Sequence, residues 1–173
     1  RYVIFVGNRG QYKDASVLME AFAGLADPEV RLVFIGGGVL TGDERAQLER
    51  LGIAERTMQV SLPDAQMPGA YGHALMCVFP SRFEGFGLPA LEAMACGTPT
   101  LLARSTSLPE VGADAAWYFA PGDADDLGDR MHALAINPAA RADLRARGIA
   151  RAARFTWRAT AAATAAVYRR TMG

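Results

Sequence analysis

Phe79-Pro80-Ser81-Arg82-Phe83-Glu84-Gly85-Phe86-Gly87-Leu88-Pro89-Ala90-Leu91-Glu92-Ala93-Met94-Ala95-Cys96-Gly97-Thr98-Pro99 puts two carboxylates, a glycine-rich turn and a helix start into one segment. Pro89 suits the first helical position, where a missing N–H costs nothing. Leu88 is therefore the predicted cap, and the helix is predicted from Pro89 to about Ala95, with Gly97 ending it. The unpaired N–H groups of the first turn then face Gly85 to Leu88. A helix start of this kind is an anion site, and the two glycines let the backbone approach whatever lies there.

The carboxylates sit unequally around that helix. Glu84 lies in the loop before it, and Glu92 lies three residues beyond Pro89, roughly 5 Å along the axis at 1.5 Å per residue. Local geometry alone does not make them a tight pair. A ligand with a diphosphate at the helix start and a hydroxyl-rich group at each end would meet one carboxylate on each side, since carboxylates accept the hydrogen bonds that sugar hydroxyls donate.

On the N-terminal side, Leu75 to Phe79 is a short apolar run of the kind a buried parallel strand shows. Further strands are predicted at Tyr2–Val6, Val30–Ile35, Thr57–Leu62, Thr100–Ala103 and Ala115–Phe119. Helices are predicted at Asp14–Leu25, Asp43–Leu51, Asp64–His73, Ala124–Ala135, Pro138–Arg154 and Thr156–Met172. Strands alternating with helices specify an α/β fold, a doubly wound, Rossmann-like parallel sheet of about six strands with helices on both faces. In such sheets ligands sit beyond the carboxyl ends of the strands.

With 51% apolar and 21% charged residues, the 173-residue chain is expected to be a single domain, 1–173, with a real core. Its 18 basic and 18 acidic residues cancel, which removes a whole-chain case for nucleic acid. Cys77 and Cys96 have no C-x-x-C spacing and are expected as buried free thiols, as suits a reducing cytoplasm. Without a leading Met, a signal peptide or an apolar run of ~18 residues, the sequence reads as an excised domain. From Arg130 onward there are nine arginines and one acid, Asp143. They form a solvated helix face or, in a second reading, an attraction toward anionic lipid heads.

After the first strand comes Gly7-Asn8-Arg9-Gly10-Gln11-Tyr12-Lys13-Asp14, which contains the only lysine of the chain. Arg9 as a fork and Lys13 as a point charge suit a diphosphate, the alternative being two solvated loop cations. Gly36-Gly37-Gly38 is not a G-x-G-x-x-G fingerprint, because position 41 is Thr41. It allows either a close approach near the site or a plain turn. His73 and His132 have no ligand spacing, and no His/Asp cluster for a metal is visible. Glu84 and Glu92 can also be read as the acid and nucleophile of a glycoside hydrolase, or as ordinary solvated glutamates. Neither reading explains the helix start together with Arg9 and Lys13.

The segment Ser81 to Pro99, with Glu84 and Glu92 eight apart, resembles the E-x7-E signature of the retaining nucleotide-sugar glycosyltransferases of group 1 (family 4), enzymes of the GT-B architecture with two Rossmann-like domains. Ser105-Thr106-Ser107-Leu108-Pro109-Glu110-Val111 and Phe155-Thr156-Trp157 are similar to later landmarks of that family, and the first is read as a loop bracing the site. The resemblance runs nearly the length of the chain. Val60 departs from it, standing where the family has a glycine near the nucleotide base.

The resemblance implies the carboxyl-terminal, donor-binding half of a hexosyltransferase, with the N-terminal acceptor domain absent. The donor is a nucleoside-diphosphate sugar and the acceptor a saccharide or lipid-linked saccharide. No metal or other cofactor is expected, and the location is the cytoplasm or the cytoplasmic face of a membrane. By analogy, Gly7, Arg9, Lys13 and the helix start at Leu88 to Leu91 hold the diphosphate. Glu84 with the backbone of Gly85, Phe86 and Gly87 meets the sugar, Glu92 binds the ribose, and Glu84, Arg9 and Lys13 act in catalysis. The alternatives are a non-catalytic relative that binds nucleotide sugars and a sugar-nucleotide epimerase of the same architecture.

Overall fold

A computed structural model of the chain describes residues 1–172. The strands are β1 (Tyr2–Val6), β2 (Arg31–Ile35), β3 (Thr57–Val60), β4 (Met76–Phe79), β5 (Thr100–Ala103) and β6 (Trp117–Phe119). The helices are α1 (Ala15–Ala23), α2 (Gly42–Arg50), α3 (Met67–Gly72), α4 (Leu88–Ala95), α5 (Leu108–Gly112), α6 (Ala124–Ile136), α7 (Pro138–Ala152) and α8 (Trp157–Met172).

The strands form one sheet in the order β3-β2-β1-β4-β5-β6, parallel throughout. The doubly wound sheet of six strands is as the alternation specified. Its order reverses between β1 and β4, where Val3 pairs with Met76 and Ile4 with Cys77. That junction is the switch point at which such sheets open a crevice.

Helices on both faces explain why the central strands carry no polar alternation. Val3, Ile4, Phe5, Met76, Cys77, Val78, Leu101 and Leu102 are all fully buried. Each large apolar side chain removed from water contributes about 1.5–3 kcal/mol before the entropy of ordering it is subtracted. The Phe5 and Phe34 rings meet edge to face at 5.6 Å between centroids. On the flanks α1 packs with α6 and α4 with α7. By contrast, α8 buries none of its residues, and Trp157, Val167, Tyr168 and Met172 are exposed along it.

Several element boundaries differ from the sequence reading for local reasons. Asp14 takes a left-handed φ of 52°, so α1 starts at Ala15, and Gly24 caps it before Leu25. The Asp64–His73 helix divides into a 3-10 turn, Asp64–Gln66, and α3, with Pro68 accommodated in the first turn. Helix α5 lies in a stretch read as loop, because five residues are too few to show a helical period. Gly87, not Leu88, caps α4, and it does so at φ 95°.

Candidate functional site

Two loops leave the carboxyl ends of the neighbouring strands β1 and β4 and are tied together across the switch point. The first makes a 3-10 turn at Gln11–Lys13, which lifts the Lys13 side chain toward the second. Lys13 Nζ donates to Glu84 Oε1 at 2.5 Å, with both side chains nearly nine-tenths buried. Arg82 repeats the link on the outer side, where its Nε donates to Asp14 Oδ2 at 2.6 Å and its N–H to the Tyr12 carbonyl at 2.7 Å.

The turn from Glu84 to Gly87 is held from behind by the segment after β5. The Thr106 hydroxyl accepts from the Glu84 N–H at 2.9 Å, and the Ser107 hydroxyl donates to the carbonyls of Glu84 and Phe86 at 2.9 and 3.1 Å. The bracing read for this segment is therefore made by two hydroxyls, while Glu110 stays outside it. Phe86 packs edge to face on Phe155 at 5.9 Å between centroids. The outcome is an oriented row of donors. Among the described residues, the N–H groups of Gly85, Phe86, Gly87 and Leu88 have no protein acceptor, whereas Ala90 N–H already donates to the Gly87 carbonyl. Pro89, second in α4, supplies no N–H at all.

Glu92 has a partner of its own. Its Oε2 accepts from the Tyr71 hydroxyl of α3 at 3.2 Å. The two glutamates thus have separate partners and do not form a pair. Burial, with the nearby Cys77 thiol and the Glu92 carboxylate, raises the Tyr71 phenol well above its ordinary value, so it remains a donor. Burial also pushes up the Cys77 and Cys96 thiols, which are free. Beside Glu92 opens a groove of about 610 Å³ that Phe86, Leu88, Leu91, Phe155 and Trp157 help to line.

Arg9 lies elsewhere than the sequence suggested. Its guanidinium does not present a fork to the space beside Lys13. Nε donates to Glu44 Oε1 at 2.8 Å, Nη1 to the Gly36 carbonyl at 2.9 Å, and Nη2 to the carbonyls of Gly37, Gly38 and Val39 at 3.0–3.2 Å. The physical reason is the Gly36–Gly38 turn itself. All three residues have positive φ, and a Cβ on Gly37 would stand 2.7 Å from Arg9 Nη1. Of the two readings of this turn, a close approach or a plain turn, the structure shows a close approach, made to Arg9, and four carbonyls receive a cation. Glu44 completes the cage from α2, where it also forms a capping box with Thr41. Burial works to raise the Glu44 pKa, but its bonds to Arg9 and Thr41 outweigh this and hold it below the usual carboxylate value.

Of the remaining expected residues, Gly7 has φ 123° and donates its N–H to the Ile35 carbonyl. Leu88 is exposed and Leu91 buried on the α4 side of the groove. His73 bonds only the Gly69 carbonyl. Among the described residues no His, Cys, Asp and Glu side chains gather in a group able to hold a metal ion, and no helix is long and apolar enough to cross a membrane. Tyr71 and Glu44 were missed. The T-x-x-E spacing marks Glu44 as a capping residue, but nothing local links it to Arg9, and Tyr71 lies 21 residues from Glu92.

The family model described as "Glycosyl transferases group 1" matches residues 1–151. The chain belongs to this family. Among group 1 relatives it is 34% identical over 162 residues to the O-antigen chain mannosyltransferase B of Escherichia coli, covering 90% of this chain and 42% of that protein. Its fold matches the sucrose-phosphate synthase of Thermosynechococcus elongatus with a TM-score of 0.85 at 27% identity, over 99% of this chain and 45% of that one. It also matches Anabaena HepE, solved with UDP and glucose, with a TM-score of 0.80 at 22% identity, over 88% of this chain and 43% of that one. This group 1 chain therefore spans less than half the length of these relatives.

Proposed function

We propose that this chain is the nucleotide-sugar-binding half of a retaining hexosyltransferase. The observation that carries the reading is the buried Lys13–Glu84 pair standing beside the unpaired N–H row of Gly85 to Leu88, at the switch point of the sheet. Lys13 and those N–H groups suit a diphosphate, as does the approach of Gly7 beside them. Glu84 and the Gly85–Gly87 backbone suit sugar hydroxyls, while Glu92 takes the ribose, with Leu88 and Leu91 beneath the nucleotide. Arg9 serves this site by holding the Gly36–Val39 turn rather than by touching the phosphates. That HepE was solved with UDP and glucose supports a ligand of the same kind here.

In the reaction, the bond between the anomeric carbon and the diphosphate breaks, and its electron pair passes to the diphosphate oxygen. The acceptor hydroxyl oxygen bonds to the carbon on the face the diphosphate leaves, and its proton passes to the departing diphosphate oxygen. Negative charge grows where Lys13 and the N–H groups already point, which lowers the barrier without reorganisation. In this reading the charge is met by protein groups alone, so chelation with EDTA leaves donor affinity unchanged.

The test is thermal stabilisation by a panel of nucleoside diphosphates and their sugars. A ligand at a hundredfold excess over its Kd adds about 2.7 kcal/mol of stability. Glu92→Ala is expected to weaken nucleoside diphosphate and nucleotide sugar alike, and Glu84→Ala chiefly the nucleotide sugar. A panel without any shift overturns the reading, and equal losses for both ligands in both variants overturn the division between the two glutamates.

A further inference from the structure

Glu92 is held by a residue of another helix. Tyr71 is 1% exposed, and its ring fills the space under α4 with the hydroxyl reaching Glu92 Oε2 at 3.2 Å. Its backbone is pinned as well, because the buried Thr98 hydroxyl donates to the Tyr71 carbonyl at 2.7 Å. The residue is thus held at its main chain by the threonine and at its hydroxyl by the carboxylate. A glutamate side chain has three rotatable torsions, and holding one oxygen removes most of that freedom before a ligand arrives. The donor is neutral. It leaves the carboxylate its charge, and Oε1 is left to accept from a neighbouring pair of hydroxyls. An Arg or Lys in the same place would orient the carboxylate but compete for it.

We propose that Tyr71 is a positioning residue for the nucleotide, its buried hydroxyl holding Glu92 by one oxygen so that the other accepts from the ribose hydroxyls. This rests on the assignment of Glu92 to the ribose made above. The plainer account is that Tyr71 is a core residue whose hydroxyl needs an acceptor, and Glu92 happens to supply one. The two accounts differ in what the ligand feels.

The experiment is calorimetric titration of the full chain with the nucleoside diphosphate that stabilises it most and with its 2′-deoxy and 3′-deoxy counterparts. The variants are Tyr71→Phe, Glu92→Ala and the double substitution. Wild type is expected to prefer the ribonucleotide by roughly tenfold or more, the scale of one hydrogen bond to a charged group. Tyr71→Phe is expected to lower ribonucleotide affinity about three- to tenfold, leave the deoxy ligands unchanged, and have no further effect once Glu92 is Ala. Equal losses for ribo and deoxy ligands, or no loss for either, overturn the proposal. A wild-type chain that binds both alike overturns the ribose assignment itself, and with it the role of Tyr71. If Tyr71→Phe fails to fold, 3-fluorotyrosine at position 71 keeps the question open to measurement. Its fluorine resonance is expected to move on adding the ribonucleotide and not the deoxynucleotide, and an unmoved resonance overturns the proposal.

Discussion

Arg9 carries its charge into a place where only 3% of its side chain meets solvent. Such a charge persists because each guanidinium nitrogen has an acceptor, provided by the Gly36–Val39 carbonyls with Glu44. Arg9→Ala leaves those acceptors unsatisfied and is expected to cost about 2–4 kcal/mol in denaturant unfolding. Arg9→Lys is expected to recover little, because one ammonium cannot replace a planar fork with five donors. Glu44 gives the cage a pH dependence whose sign follows from its lowered pKa. A carboxylate with a depressed folded pKa contributes stability that is fully present above its unfolded pKa and is lost as pH falls through the folded value. The acid limb of the stability curve is therefore expected to flatten in Glu44→Gln, and an unchanged limb would place the linked proton elsewhere.

In the proposed reading helix α4 is the element on which donor geometry depends, and its first turn is set by Gly87. At φ 95°, with a Cβ position 3.0 Å from Leu108 Cδ2, this residue would take a side chain only with a strained backbone and a shift of Leu108 by a few tenths of an ångström. Gly87→Ala is expected to lose roughly 1–2 kcal/mol from the left-handed backbone and to weaken nucleotide binding, since the N–H row turns with the cap. Gly85 faces open space and has no positive φ, so Gly85→Ala is expected to leave the melting temperature within a degree or two and serves as the control. Much of this element was legible in advance. Pro89 and Gly97 bracket it by rules that act within a few residues, and the apolar run before it reads as a buried strand. The cap was misplaced by one residue because Gly and Leu before a Pro look alike until the backbone angle is known. The partners of Arg9 and Glu92 were not legible, since they come from the turn after β2, from α2 and from α3, brought near only by the completed sheet.

At the scale of the whole molecule, the order of the sheet explains why groups far apart in sequence share one edge. Lys13 follows β1 and Glu84 follows β4, and these strands are hydrogen-bonded neighbours at the point where the winding reverses. The carboxyl-terminal helix contributes less to the core. Because α8 buries nothing, ending the chain after Thr156 is expected to change stability by less than about 1 kcal/mol. Phe155→Ala, which removes the ring packed on Phe86, is expected to cost more and to loosen the glycine turn. With less than half the length of its relatives present, the chain is expected to bind nucleotide sugar but transfer nothing, and turnover onto a saccharide acceptor by these residues alone would contradict that. The Lys13–Glu84 pair has one more implication. Each charge satisfies the other, so a ligand that displaces the pair must replace both halves of the bond. A free sugar would strand the ammonium, and a nucleotide without its sugar would strand the carboxylate. In the proposed reading the crevice is expected to act as a coincidence detector, tuned to a molecule that brings phosphate and hydroxyls together.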